Sequence, residues 1–225
     1  MEKNKSYYEN ERNELLELIP LETQTLLDIG CGSGNLGKGI KKRQNCQVYG
    51  IELNKDAAKI AGNYLDKIYS GFIEEYLNIL PVKFFDCIVL ADVLEHLKNP
   101  DYVLKELIKC LKDDGLILIS IPNFRHYSVI EKILYGTFKY ETDGILDNTH
   151  ISFFTKGSIL KLLAASKLKV NHIVYAIVEC NINTDLISIF DENKLDIDDF
   201  LLEANYFQYF ITAKINNKKI DFTKK

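Results

Sequence analysis

The sequence predicts an α/β protein, a mostly parallel sheet with helices on both faces, and three observations carry that prediction. Strand-length apolar runs recur as TLLDI at Thr25–Ile29, QVYGIE at Gln47–Glu52, FDCIVLA at Phe85–Ala91 and LILISI at residues 116–121. They are apolar almost throughout rather than alternating, as expected of strands buried on both faces. Segments of helical period separate them, so strand and helix alternate. A glycine-rich turn, LLDIGCGSGNLGKG over residues 26–39, joins the first of these strands to the helix after it.

Taken in order, residues 6–19 read as a leading helix that Pro20 stops, either a lid over a ligand or a packed helix. Thr25–Ile29 is the first strand, Asn35–Arg43 the helix behind the glycines, and Gln47–Glu52 a second strand ending in an acid. Asn54 is placed to cap a helix over residues 55–64. Residues 66–70 form a third strand, 74–80 a short helix or loop, and Phe85–Ala91 the fourth strand. One turn at residues 94–97 is broken by Asn99-Pro100. A helix follows over 102–112, with Val103, Leu104, Leu107, Ile108 and Leu111 on one face. The turn Asp113-Asp114-Gly115 leads into the fifth strand, 116–121. The pattern then changes. Residues 123–152 are rich in aromatics and histidine, with a helix around 127–135; Thr155 caps a helix within 154–166. Residues 170–179 and Tyr206–Ile215 are the last strands, separated by an acidic, partly helical stretch over 181–205, and the tail IDFTKK is frayed. No repeat or linker appears, so a single domain spans 1–225, with the leading helix within 1–20 and an insertion at 123–154.

The bulk numbers agree. A chain of 225 residues can bury one sizeable core, and 47% apolar with 27% charged residues is ordinary for a soluble protein. A net charge of −4 argues against a nucleic-acid partner. Five cysteines, with no CxxC pair, suit a reducing compartment rather than a disulfide frame or structural zinc. The first residues lack the apolar core of a signal, and no run reaches the roughly 18 apolar residues of a membrane span. The expectation is a cytoplasmic protein.

Two ligand classes fit the glycine stretch. Gly32, Gly34 and Gly37 satisfy GxGxxG and Glu52 follows at the distance of a ribose contact, which allows a dinucleotide such as NAD. However, Asp28 stands before Gly30, giving D-I-G-C-G-S-G. This resembles the first motif of class I S-adenosylmethionine-dependent methyltransferases, an acid and an apolar residue followed by GxGxG. The segment LEHLKNP at residues 94–100 is similar to that of ubiquinone-biosynthesis-type O-methyltransferases, and LKDDGLILISIPN matches the family's fifth strand. The resemblance covers residues 15–123 well. It implies a Rossmann-like, seven-stranded, mostly parallel sheet of order 3-2-1-4-5-7-6 with an antiparallel last strand. It also implies S-adenosylmethionine as cofactor, held by Asp28, Gly30, Cys31, Gly32, Gly34, Asn35, Leu36, Glu52, Leu53, Phe72, Ile73, Ala91 and Asp92. Asp28 would hold the methionyl ammonium and Glu52 the ribose diol. Phe72 stands where the family often has an adenine-binding Asp, so Glu74, a backbone group or a Phe72–Ile73 sandwich takes that contact. Cys31 is read as a small residue filling the turn.

Asp92, Glu95 and His96 fall at helical i, i+3, i+4 spacing. Some ubiquinone-pathway relatives use such an acid-x-x-Glu-His set for magnesium; packing beneath the site is the simpler reading here, and no metal is expected. Beyond the fifth strand, IPNFRH, GTFKY and GILDNTHISFFT resemble methyltransferases of bacterial glycan and O-antigen clusters. Asn123, Arg125, His126, Asp147, Thr149 and His150 are polar groups among aromatics, the makings of a small-molecule pocket. Methyl transfer to a hydroxyl needs alignment and a base, and neutral histidine suits the latter. His150, hydrogen-bonded to Asp147, is the expected base, and His126 the second candidate. Loop pinning by Asp147 and His150 stays open as the alternative. The reading is O-methylation of a small hydroxylated acceptor, a sugar or glycan precursor or a phenol or quinone precursor. An NAD-type oxidoreductase and a methyltransferase-like binding module without catalysis are the alternatives.

Overall fold

Seven strands form one sheet in the order β3-β2-β1-β4-β5-β7-β6. This computed structural model describes residues 12–183 and 197–216. β1 (Thr25–Ile29), β2 (Gln47–Glu52), β3 (Lys67–Ser70), β4 (Phe85–Ala91) and β5 (Leu111–Pro122) pair in parallel. β7 (Tyr206–Ile215) runs antiparallel between β5 and β6 (Leu168–Ile177). The order and the antiparallel last strand are those the sequence implies.

Both faces of the sheet are buried, which explains the unbroken apolar runs. Leu26, Val48, Cys87, Val89 and Leu118 point to one face. There they pack with Leu15 of α1 (Asn13–Leu16), Leu36 and Ile40 of α2 (Asn35–Arg43) and Ala61 of α3 (Lys55–Ala61). Leu27, Ile51, Ile88, Leu90, Ile117 and Ile119 point to the other. They meet Val103, Leu104 and Leu107 of α4 (Pro100–Cys110), and Ile159 and Leu163 of α6 (Lys156–Ala165). α5 (Tyr127–Leu134) and α7 (Ile197–Glu203) flank the C-terminal edge of β5.

Several boundaries move. α4 starts at Pro100, because Asn99 caps it by accepting from the Tyr102 N–H at 3.1 Å and proline is tolerated at the first helical position. β5 begins at Leu111, which pairs with Phe85; the register then jumps to Cys87 opposite Leu116. The Asp113–Gly115 turn signal therefore marks an irregularity within the strand, and Lys112 there pairs with Asp86 at 2.7 Å. α3 stops at Ala61, before Gly62. Thr155 caps α6, as expected, accepting from the Ser158 N–H. Of the leading helix only α1 lies within the described residues. Residues 184–196 of the acidic stretch and the IDFTKK tail lie outside them.

Candidate cofactor and acceptor site

The turn after β1 hangs on the end of β2: the N–H groups of Gly30 and Cys31 donate to the Ile51 carbonyl at 2.8 and 3.2 Å. Gly30, Gly32 and Gly34 have φ of 70°, 54° and 81°, the left-handed region that strains any residue with a Cβ. A Cβ on Gly30 would also meet Val93 Cγ2 at 3.0 Å. Glu52 fixes the middle of the turn. Its Oε2 accepts from the Gly32 N–H at 2.8 Å and its Oε1 from the Asn54 N–H at 2.7 Å. A carboxylate has about four lone-pair sites, so capacity for a diol remains. Cys31 is buried against Gly50, where an added Cβ would come 2.7 Å from its Sγ, and burial pushes the thiol pKa up. The thiol is a filler of the turn, as read. Leu36 also lies in the core beside Ile40, so the start of α2 offers its backbone rather than this side chain. Ala91 likewise packs into the core at the strand end.

Asp28 is buried beneath the turn. Desolvation pushes its carboxyl up to about 7, opposed by the Arg12 guanidinium and reinforced by Glu52. The unfolded carboxyl sits near 3.8, so the folded state holds the extra proton between these values. Asp28 therefore costs ligand-free stability as pH rises from about 4 to about 7, and costs nothing below both values. Urea unfolding of wild type and Asp28→Asn across that range checks this: the variant is expected to gain relative stability steadily with pH, and a constant difference would contradict it.

Asp92, just past β4, has φ 55°, a strained backbone for a residue other than glycine. Its carboxylate is fastened from three sides, by Arg12 at 2.7 Å, by Ser120 of β5 at 2.9 Å and by Gln208 of β7. Arg12 thus reaches both acids. Sequence reasoning placed it in the leading helix without a role, because nothing in its neighbourhood announces a partner eighty residues away.

Leu53 and Phe72 follow β2 and β3, whose ends are in register at Glu52 opposite Ser70. Both are open to solvent, at 53% and 58% exposure, whereas Ile73 is buried in the core. The apolar side chains open at this edge are therefore Leu53 and Phe72, while Ile73 is turned into the core. Phe72→Ala is expected to weaken S-adenosylhomocysteine binding about fivefold, measured by calorimetry, in line with one lost stacking contact.

In the insertion after β5, residues 149–152 dock onto the turn Leu94–His96. The Glu95 carbonyl accepts from the Ile151 and Ser152 N–H groups at 2.9 and 3.0 Å, and His96 Nδ1 lies 3.1 Å from the Thr149 carbonyl. This brings Glu95 (1% exposed) against His150 (7%), with Oε1 to Nε2 at 4.0 Å. The His96 and His150 rings meet edge-on at 4.8 Å. His150 meets Asp147 through the backbone, its N–H donating to the Asp147 carbonyl at 3.0 Å, while the ring Nδ1 sits 3.0 Å from the Ile145 carbonyl rather than on the Asp147 carboxylate. Asp147 Oδ1 instead accepts from the N–H and hydroxyl of Thr149 at 2.8 and 2.6 Å. That closes the tight turn that aims His150. Sequence reasoning paired the wrong acid because Glu95 is fifty-five residues from His150, and only the fold joins them.

His126, Asn123 and Arg125 are engaged in structural contacts. His126 is buried, capping α5 through Ser128 while its Nε2 lies 3.2 Å from the Val178 carbonyl, and burial lowers its pKa. Asn123 is fully buried; its Nδ2 donates to the Tyr206 and Glu203 carbonyls at 2.8 and 3.2 Å and its Oδ1 accepts from the Arg125 N–H. Arg125 pairs with Glu203 at 3.4 Å. Asn123→Ala is expected to cost about 2–3 kcal/mol in denaturant unfolding, since it leaves buried backbone groups without a partner.

Comparison with known proteins fits this geometry. The model of the methyltransferase domain family matches residues 2–173. Ubiquinone biosynthesis O-methyltransferase of Glaesserella parasuis is 35% identical over 107 residues, which span 44% of this chain and 45% of that one. A protein of Methanocaldococcus jannaschii without an assigned function is 27% identical over 175 residues, spanning 74% of this chain and 64% of that one. The chain thus spans less than two thirds of these relatives' lengths. Among solved structures, a methyltransferase of Archaeoglobus fulgidus aligns at TM-score 0.65 and 23% identity, covering 92% of this chain and 94% of that one. The [4+2]-cyclase SpnF shares the fold at TM-score 0.62 and 14% identity, covering 91% of this chain and 81% of that one. The chain belongs to the methyltransferase domain family, as a class I member whose cofactor is S-adenosylmethionine. The site fits that cofactor: three glycines hold a cradle that Cβ atoms would strain, and two buried acids, Asp28 and Glu52, are of the chemistry that an ammonium and a diol would need.

Proposed function

We propose that the protein methylates an oxygen of a small hydroxylated acceptor, a sugar or glycan precursor or a phenol or quinone precursor. The observation that carries the reading is the docking of residues 149–152 onto the Leu94–His96 turn, which sets an imidazole–carboxylate cluster at the turn that follows Asp92 in the chain. Asp28 is the contact for the methionyl ammonium, Glu52 for the ribose diol, Leu53 and Phe72 for the adenine. The start of α2 and Arg12 are the positive groups for the methionyl carboxylate. Bound there, S-adenosylmethionine supplies a methyl group activated on a sulfonium.

The chain's own work is alignment and removal of one proton. A carbonyl only accepts, so the Ile145 contact fixes the hydrogen on His150 Nδ1 and leaves the Nε2 lone pair on the side of Glu95. That lone pair draws the acceptor's hydroxyl proton, and Glu95 offsets the charge that develops. The freed oxygen pair forms the O–CH3 bond as the C–S pair leaves with sulfur. The ubiquinone O-methyltransferase relatives support oxygen as the target. The net charge of −4 supports a small acceptor over a nucleic acid, and five free cysteines support a reducing compartment such as the cytoplasm as its place of work.

The fold alone does not assure methyl transfer, since a cyclase shares it. The test is therefore an acceptor screen with methyl-labelled S-adenosylmethionine over sugar nucleotides, phenols and quinone precursors. Label in a hydroxyl-derived methyl ether supports the reading. Cofactor binding with no transfer would favour a binding module, and calorimetric binding of NADH in place of S-adenosylhomocysteine would favour an oxidoreductase.

A further inference from the structure

We propose that Glu95, His96 and His150 hold a borderline divalent cation of the zinc or cobalt kind, with one coordination position left open to the acceptor oxygen. One candidate ligand atom from each of the three lies within 4.8 Å of the others, and the His150 Nε2 to Glu95 Oε1 distance is 4.0 Å. Tetrahedral ligands about 2.0–2.1 Å from zinc stand roughly 3.4 Å apart, so closing on the ion takes only small side-chain movements. Each ring has one nitrogen turned to a backbone carbonyl. His150 points Nδ1 at the Ile145 carbonyl and His96 points Nδ1 at the Thr149 carbonyl. Each neutral ring therefore carries its lone pair on Nε2, the arrangement in which an outer carbonyl fixes a metal-binding tautomer. Two imidazoles and one carboxylate, with an open fourth position, suit zinc-like ions rather than magnesium, which prefers oxygen ligands.

The set differs from the acid-x-x-Glu-His pattern of the sequence. Asp92 is taken by Arg12, Ser120 and Gln208, and a histidine of the insertion stands as third ligand in its place. The proposal rests on the acceptor-side reading above and refines it. With the ion in place, His150 acts on the acceptor through the cation instead of taking the proton itself. The ion's charge lowers the hydroxyl pKa, and the proton passes to solvent water.

The test uses the full chain, stripped with a chelator and titrated with Co2+, read by its visible absorption, and with Zn2+, read by calorimetry. One ion per chain is expected. Glu95→Gln, His96→Ala and His150→Ala should each weaken Co2+ binding about tenfold or more, while Asp92→Asn leaves it unchanged. S-adenosylhomocysteine affinity, measured on the Glu95, His96 and His150 variants, reports that the fold and cofactor site are intact. If wild type takes up no stoichiometric ion, the proposal falls and the metal-free Glu95–His150 pair remains. If binding survives His150→Ala, or is lost in Asp92→Asn, the ligand set is wrong. Failure of the methyltransferase reading shows separately, as loss of S-adenosylhomocysteine binding or of methyl transfer by wild type.

Discussion

His150→Ala is expected to lower kcat on the true acceptor by about 100- to 10,000-fold, the range of a lost proton-removing group. Affinity for S-adenosylhomocysteine should stay within about twofold of wild type, because the His150 ring meets Ile145, Glu95, His96 and Phe153 and none of the residues assigned to the cofactor. The reason for so large an effect is convergence. His150 has its Nδ1 held by a carbonyl and its other nitrogen turned to a buried carboxylate, and its ring lies against His96. Nothing else described in the insertion has a titratable group so placed, since His126 is committed to a helix cap and a backbone carbonyl. Turnover that survives the substitution would place proton removal elsewhere. Turnover and cofactor affinity lost together would mean that the side chain matters to the fold rather than to the acceptor.

Glu52→Ala should weaken S-adenosylhomocysteine about tenfold or more by calorimetry. Two charge-assisted hydrogen bonds to a diol would account for that alone. The structure gives a second reason. The same carboxylate accepts from Gly32 and Asn54, so its removal also releases the middle of the glycine turn. Glu52→Gln separates the two effects. It keeps one acceptor oxygen for the turn but offers the diol an amide, so an intermediate loss is expected. A Gln variant as weak as the Ala variant would show that the charge, rather than the shape of the turn, dominates. Unchanged affinity in the Ala variant would remove Glu52 from the ribose role.

Much of this site was legible before any coordinates. The glycine turn and Glu52 could be read because their geometry is local: φ > 0 demands glycine, and a strand-end acid follows the turn at a fixed interval. The strands could be read because two-faced burial leaves an unbroken apolar run, and β1, β2, β4 and β7 fall at the expected bounds. The errors share one cause. Asp113-Asp114-Gly115 has turn chemistry, yet it sits in a strand whose register jumps against β4. Asp147 lay nearest to His150 in sequence, yet Glu95 is the acid that faces it. Arg12 carries no local signal for Asp28 or Asp92. In each case tertiary pairing decides, and pairing between residues on different elements leaves no periodicity to read. Asn123 shows the converse. A polar residue among aromatics looks like a pocket group, whereas its amide is consumed by backbone carbonyls.

The place of β7 has a consequence for how the molecule is made. Among the described residues β6 finds its sheet neighbour only in β7, which is inserted between it and β5, and Gln208 of β7 completes the cage around Asp92. On the ribosome the glycine turn, both acids and His150 emerge long before residues 206–215. A nascent chain can therefore pair β1 to β5 while one edge of that sheet stays open and Asp92 remains incompletely held. The methyl-donor site would become functional late in synthesis, and a chain halted before residue 206 would expose the edge of β5 as a template for unwanted pairing.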